Sequence, residues 1–133
     1  VKIVDRIMVE FGYEKQGFST EEIVSYISPL KVFGQVDFLV ARRKYSRAML
    51  KRAREMSVLD GELKVKVLLP EDLIGLKLQA IMNDPKNRYG VDAPDIQRLL
   101  KLRGSSMDMN LVREYFRLFE KEDLLDEWLE GLD

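Results

Sequence analysis

LKVKVLLPEDLIGLKLQAIM, residues 63–82, changes its period halfway along. Leu63, Val65 and Val67 alternate with Lys64 and Lys66, the pattern of a strand with one face in water. At Pro70 the alternation stops and a helix begins. Proline suits the first helical turn, where its missing N–H is not needed, and Glu71 and Asp72 face the positive end of the helix dipole. Leu73, Ile74, Leu76, Leu78, Ile81 and Met82 then make this helix apolar nearly all round, which places it at the centre of the structure.

Upstream, Val4, Ile7, Met8 and Phe11 recur at helical spacing, and Gly12 sits where a helix commonly ends. Glu22 to Ile27 carries the β-formers Ile23, Val24, Tyr26 and Ile27 and is closed by Pro29. Gly34 opens a second β-forming run, Gln35 to Ala41, and the two are expected to pair as a hairpin across residues 29–34. Tyr45, Ala48, Met49, Ala53 and Met56 mark one face of a further helix. Downstream, Asn83 to Gly90 reads as a polar connection, and Pro94 as the start of a helix carrying Ile96, Leu99 and Leu100 and ended by Gly104. Asp108 can cap the next helix, with Leu111, Val112, Tyr115, Leu118 and Phe119. A last helix carries Leu124, Leu125, Trp128, Leu129 and Leu132. Strands and helices alternate early and helices alone follow, so the expected class is α+β. The expectation is one domain over residues 1–133: a sheet-forming part with two helices over 1–69, built on a small mixed β-sheet, and a helical part over 70–133.

Composition narrows the chemistry. The chain has 133 residues, 46% hydrophobic and 34% charged, the balance of a globular domain. No apolar run approaches the roughly 18 to 20 residues of a membrane span. Without cysteine, disulfides and thiolate metal sites are excluded, which fits a reducing, cytoplasmic setting. Without histidine, the usual neutral-pH base and the commonest zinc ligand are missing too. Any metal is then expected to be oxygen-bound magnesium. Val1 already lies inside a helical pattern and reads as part of a chain cut from something longer.

The net charge of −1 conceals an asymmetry. Between Ala41 and Glu55 stand Arg42, Arg43, Lys44, Arg47, Lys51, Arg52 and Arg54 against a single acid, whereas nine acids face three bases from Gly104 onward. The first patch can meet phosphate; the second can meet a basic partner, and either can be a solvated helix face.

Three places invite a chemical reading. Asp37 sits among Val36, Phe38, Leu39 and Val40, where a carboxylate either faces water from an edge strand or serves a site. Lys77 is the lone charge inside an apolar helix, and either snorkels to the surface or directs its ammonium at a phosphate. Arg88, Asp92 and Asp95 lie around the next helix start, where the aspartates can act as caps or pair with the arginine. No glycine loop has nucleotide-binding spacing, and the Ser105-Ser106 pair lacks a base.

Taken in order, VDFLV at 36–40, PEDLIGLKL at 70–78, and Arg88 with Asp92 and Asp95 resemble the minimal nucleotidyltransferase-like proteins, especially their AbiEii-type toxin branch. The resemblance runs from about Val4 to Leu100. It implies a nucleotidyltransferase fold, in which a glycine-serine turn and an Asp-x-Asp pair bind a nucleoside triphosphate and two magnesium ions, and a third carboxylate completes the set. An acceptor hydroxyl then attacks in line, with positioning and charge neutralisation supplying most of the catalysis. By strand context Asp37 matches the third, metal-binding carboxylate. Lys77 matches the motif lysine, and Arg88, Asp92 and Asp95 match the later nucleotide-binding motif, with Val91 where its lysine usually stands. Arg42, Arg43, Lys44 and Arg47 would receive acceptor phosphates. No glycine-serine turn followed by Asp-x-Asp occurs in the 133 residues; the resemblance places both before Val1. Two functions compete on this reading. One is the larger part of a protein transferring a nucleotide to RNA or protein, inactive as this chain alone. The other is a non-catalytic module of a toxin–antitoxin or similar pair, with the Trp128 helix covering a partner.

Overall fold

The computed structural model describes residues 2–17, 23–30 and 32–132. The chain is α+β, as the sequence implies, and forms two compact units, Val1–Leu50 and Lys51–Asp133.

The first unit holds α1 (Lys2–Glu10), β1 (Glu14–Lys15), β2 (Ile23–Ile27), β3 (Gln35–Leu39) and most of α2 (Lys44–Arg52). The expected hairpin forms: β2 pairs antiparallel with β3, from Ile27 opposite Gln35 to Ile23 opposite Leu39. Gly34, at φ +63°, turns the chain, a left-handed conformation that glycine adopts without a Cβ penalty. The very short β1 pairs with the other side of β2. Alternation puts Val24 and Tyr26 on one face, and with Met8 they form the core, packed by Val4, Tyr13, Val36 and Phe38. The Tyr26 and Phe38 rings meet edge-on, 5.7 Å between centroids. α1 turns Val4 and Met8 inward, while Ile7 and Phe11 stay exposed, so its buried stripe is narrower than the periodicity implies. Glu22, expected to start β2, lies outside the described residues.

The second unit continues with β4 (Arg54–Val58), a 3-10 turn (Leu59–Gly61), β5 (Leu63–Val67), α3 (Pro70–Asn83), α4 (Pro85–Arg103), a second 3-10 turn (Gly104–Ser106), α5 (Met109–Leu118) and α6 (Glu122–Glu130). Here the helical expectations for two stretches are corrected. Ala53 and Met56 do not extend α2, because residues 54–58 find a complete antiparallel ladder against β5, Met56 lying opposite Val65. All strands described pair antiparallel, in one three-stranded and one two-stranded sheet, and not in a single mixed sheet.

The second correction concerns Pro94, which does not start a helix but lies inside α4. The helix begins earlier, since Asp84 accepts from the Asn87 N–H and Pro85 fills the first turn. Residues 83–90 are therefore mostly helical, not a connection. Pro94 offers no N–H to the carbonyl four residues back, that of Gly90, and the burial of its apolar neighbours Ala93 and Ile96 offsets this loss.

α3 packs against both α4 and α5, and α6 against α5, so α3 is central to this unit as its composition demands. Ile74, Leu78 and Ile81 of α3 are buried with Ile96 and Leu100 of α4, Val112 and Phe116 of α5, and Leu125 of α6. Trp128 meets Phe116 edge-on at 5.9 Å. It is 6% exposed, so it belongs to the core of its own unit and is not held out to cover a partner.

Candidate functional site

The four residues grouped by the later motifs come together between α3 and α4. Lys77 lies about two turns beyond the start of the apolar helix, where α4 packs alongside. Its Nζ donates to Asp92 Oδ1 at 3.0 Å and to Asp95 Oδ2 at 2.8 Å. Arg88 Nε donates to the other Asp92 oxygen at 2.7 Å, across one turn of α4. Asp92 is fully buried, and its two oxygens are each held by a cation. Such a carboxylate is tolerated only because it is paired and hydrogen-bonded. Neither aspartate caps a helix, since both lie in the interior of α4.

Burial is the largest influence on Lys77 and acts to lower its pKa. The hydrogen bonds to Asp95 and Asp92 and their charges together outweigh it, leaving the ammonium above its ordinary value. Hydrogen bonding to Lys77, helped by its charge, holds Asp95 below the usual carboxylate range. The cluster is thus two cations against two anions, with the exposed Arg98 guanidinium as a third cation 4.0 Å from Asp95 at its edge. What it offers outward is the third Lys77 proton and the Arg88 Nη groups, which make no hydrogen bond to the described residues; the Arg88 side chain is 48% exposed.

A second charged cluster, which the sequence gives little sign of, lies at the start of α3. Asp72, fully buried, accepts from Arg52 Nε at 3.1 Å and Nη2 at 2.7 Å, and from the Tyr115 hydroxyl at 2.5 Å. Arg52 Nη2 also reaches the Tyr115 oxygen at 3.0 Å. Burial, then the bond to Asp72, raises the Tyr115 phenol well above its usual range. The Arg52 guanidinium is held still more firmly in its charged form by the same carboxylate. Tyr115 lies over Gly75: a Cβ there would come within 2.8 Å of the ring. Gly75 is what lets the phenol reach down to Asp72, one turn away on α3. Beside it Glu71, also buried, accepts from the Asp108 N–H at 2.7 Å, while Asp108 caps α5 through the Asn110 and Leu111 N–H groups. Glu71 and Asp72 thus do more than face a helix dipole: they tie α3 to α5.

Asp37 belongs to the first unit, on β3 at the edge of its sheet, whereas both clusters belong to the second. Val36 and Phe38 turn toward the core and Asp37 toward the exposed face, where Gln35 Nε2 donates to it at 2.7 Å. This is the water-facing arrangement. Among the described residues no three Asp or Glu side chains are placed to hold a metal ion. A single exposed carboxylate does not fit two magnesium ions, so the residues present do not make the implied metal site. Of the basic stretch, Arg42, Arg43, Lys44 and Arg47 are exposed, the last two on α2. Arg52 is withdrawn from the patch by Asp72, and Arg54 is part of β4.

Among the described residues no helix is long and apolar enough to cross a membrane. Comparison of the chain with protein-family models finds no match, and comparison with curated proteins finds none either.

Proposed function

We propose that the chain is the larger part of a nucleotidyltransferase-like protein, one that moves a nucleotide from a nucleoside triphosphate onto an RNA or protein hydroxyl. One observation carries the reading: Lys77, Arg88, Asp92 and Asp95, grouped by motif resemblance, converge within hydrogen-bonding distance. Asp92 and Asp95 act as positioning residues that fix the two cations, and the free Arg88 Nη fork and the remaining Lys77 proton take phosphate oxygens. In the transfer the acceptor oxygen bonds to the α-phosphorus as pyrophosphate leaves. With one carboxylate, Asp37, of the three the family uses, this chain alone is inactive.

The test is calorimetric titration of the chain with a nucleoside triphosphate and with the bare nucleoside. Binding near about 1 mM, or about 4 kcal/mol, is expected for the triphosphate only, and it should vanish in Arg88→Gln. Equal binding of the nucleoside, or none of the triphosphate, would end this reading. The acceptor role of Arg42, Arg43, Lys44 and Arg47 has its own check. Single-stranded RNA binding should fall with salt at a log–log slope of up to about −3, for four phosphate contacts. A flat dependence removes the acceptor role. The second reading, a non-catalytic interaction module, no longer draws support from Trp128 as a partner-covering residue, given its burial.

A further inference from the structure

β4 and β5 form a two-stranded ribbon joined by the Leu59–Gly61 turn, and among the described residues no third strand lies on either side of it. The register sorts its side chains. Directly opposed residues share a face, so Met56 with Val65 and Val58 with Leu63 fall on one side, together with Val67. Glu55 with Lys66 and Ser57 with Lys64 fall on the other, and a 3.4 Å ion pair joins Lys64 to Glu55 on that side. The first face is apolar yet open: Met56 is 53% exposed, Leu63 48% and Val67 41%. A hairpin of two strands is marginal by itself, and a third strand with an apolar face stabilises it.

Of the two open edges, β5 is the better template. Over Leu63–Val67 it alternates without a break between an apolar residue and a lysine, with no proline and no bulge to interrupt pairing. A strand laid along it would set every second side chain beside Leu63, Val65 and Val67 and the others beside Lys64 and Lys66. The charges then decide which strand fits. A second copy of β5 does not: paired antiparallel about Val65, it would bring Lys64 against Lys66 twice, and like charges directly opposed are destabilising. A strand with acids at alternate positions meets both lysines with opposite charge. Glu55 answers Lys64 from within the ribbon, but Lys66 makes no ion pair with the described residues. The lysines that keep copies of this edge apart therefore select its complement. Nucleic acid is also anionic, but it has neither a peptide ladder nor apolar side chains to set beside Leu63, Val65 and Val67.

We propose that the open edge of β5 binds an extended segment of a partner protein in which apolar and acidic residues alternate, adding a third strand to the ribbon. Main-chain hydrogen bonds hold the segment, its apolar side chains continue the Met56 and Val65 face, and its carboxylates meet Lys64 and Lys66. The site uses no residue of the Lys77 cluster and stands or falls independently of nucleotide binding. The experiment titrates the whole chain into a dye-labelled, capped Thr-Val-Glu-Val-Glu-Val-Thr peptide and follows its fluorescence anisotropy. This peptide reads alike in both directions, so either strand polarity is open to it. A saturable rise is expected. The same peptide with lysine at each glutamate should bind weaker by about tenfold or more, because two opposed charge pairs change sign. A third peptide, N-methylated at two consecutive central residues, keeps the charges but loses a ladder donor whichever way it faces, and should not bind. Lys66→Gln, at an exposed position, should weaken the glutamate peptide by about threefold. No saturable rise, equal binding of the two charge forms, or undiminished binding of the methylated peptide would overturn the proposal. So would a chain that sediments as a dimer and dissociates in Met56→Lys, which would give the ribbon to a second copy.

Discussion

Each unit of the molecule builds the same trio of groups: an aspartate, a tyrosine hydroxyl donating to it, and a cation. In the first, Asp5 accepts from Tyr26 and from Lys15 Nζ at 3.0 Å. In the second, Asp72 accepts from Tyr115 and Arg52. The settings differ. The Asp5 and Lys15 side chains are 35% and 44% exposed, whereas Asp72 is fully enclosed. Water can replace any partner that Asp5 loses. Nothing replaces a partner that Asp72 loses, so the same chemistry is an ornament in one place and a condition of folding in the other.

The most forceful way to break the parallel is Arg52→Ala. It leaves the enclosed Asp72 carboxylate without its cation, a loss of about 3–5 kcal/mol by chemical unfolding. Lys15→Ala, which takes the cation from the part-exposed Asp5, should cost far less; comparable losses would show that exposure is not what separates the two trios. A finer cut is Gly75→Ala. The added methyl meets the Tyr115 ring and should destabilise by about 1–3 kcal/mol, despite alanine's better helix propensity. In a Tyr115→Ala background the same change should turn neutral or stabilising by up to about 1 kcal/mol. If its sign does not move, the ring is not the obstacle. The smallest effect is a pH dependence. Burial first, then the bond to Asp5, pushes the Tyr26 phenol up to about 12. Because the folded pKa exceeds the unfolded one, this stabilisation is whole below about pH 10 and drains away as pH rises through about 12. Urea unfolding at about pH 9 and about pH 11 should show the loss, and Tyr26→Phe should flatten that part of the slope.

How much of this was readable in the sequence depends on distance along the chain. The β2–β3 hairpin and the central α3 announce themselves locally, through Gly34, Pro70 and short-range periodicity. β4 does not, because Ala53 and Met56 continue the helical period of α2, and only the following strand, with Val65 opposite Met56, makes 54–58 extended. Pro94 misleads in the same way, since local preference calls it a start while buried neighbours carry the helix through it. The Lys77 grouping was legible as motif order, though not its role as a self-satisfied ion cluster. Arg52, Asp72 and Tyr115 span 63 residues and form no motif. A hint was available in a buried-side aspartate followed three residues later by glycine, which leaves room for a large ring to approach.

Glu71 and Asp72 are adjacent, yet they grip α5 at Asp108 and Tyr115, seven residues apart. Along a helix that separation is about 10 Å, close to two full turns. One anchor alone would let α5 pivot about it; two fix its axis and its roll together. A slide of α5 by a single residue, about 1.5 Å and 100°, would release the phenol and the amide at once. The helix pair therefore has one register and no neighbouring one to slip into, and the geometry of everything α5 carries, Phe116 and through it Trp128 included, is inherited from two carboxylates in the first turn of α3.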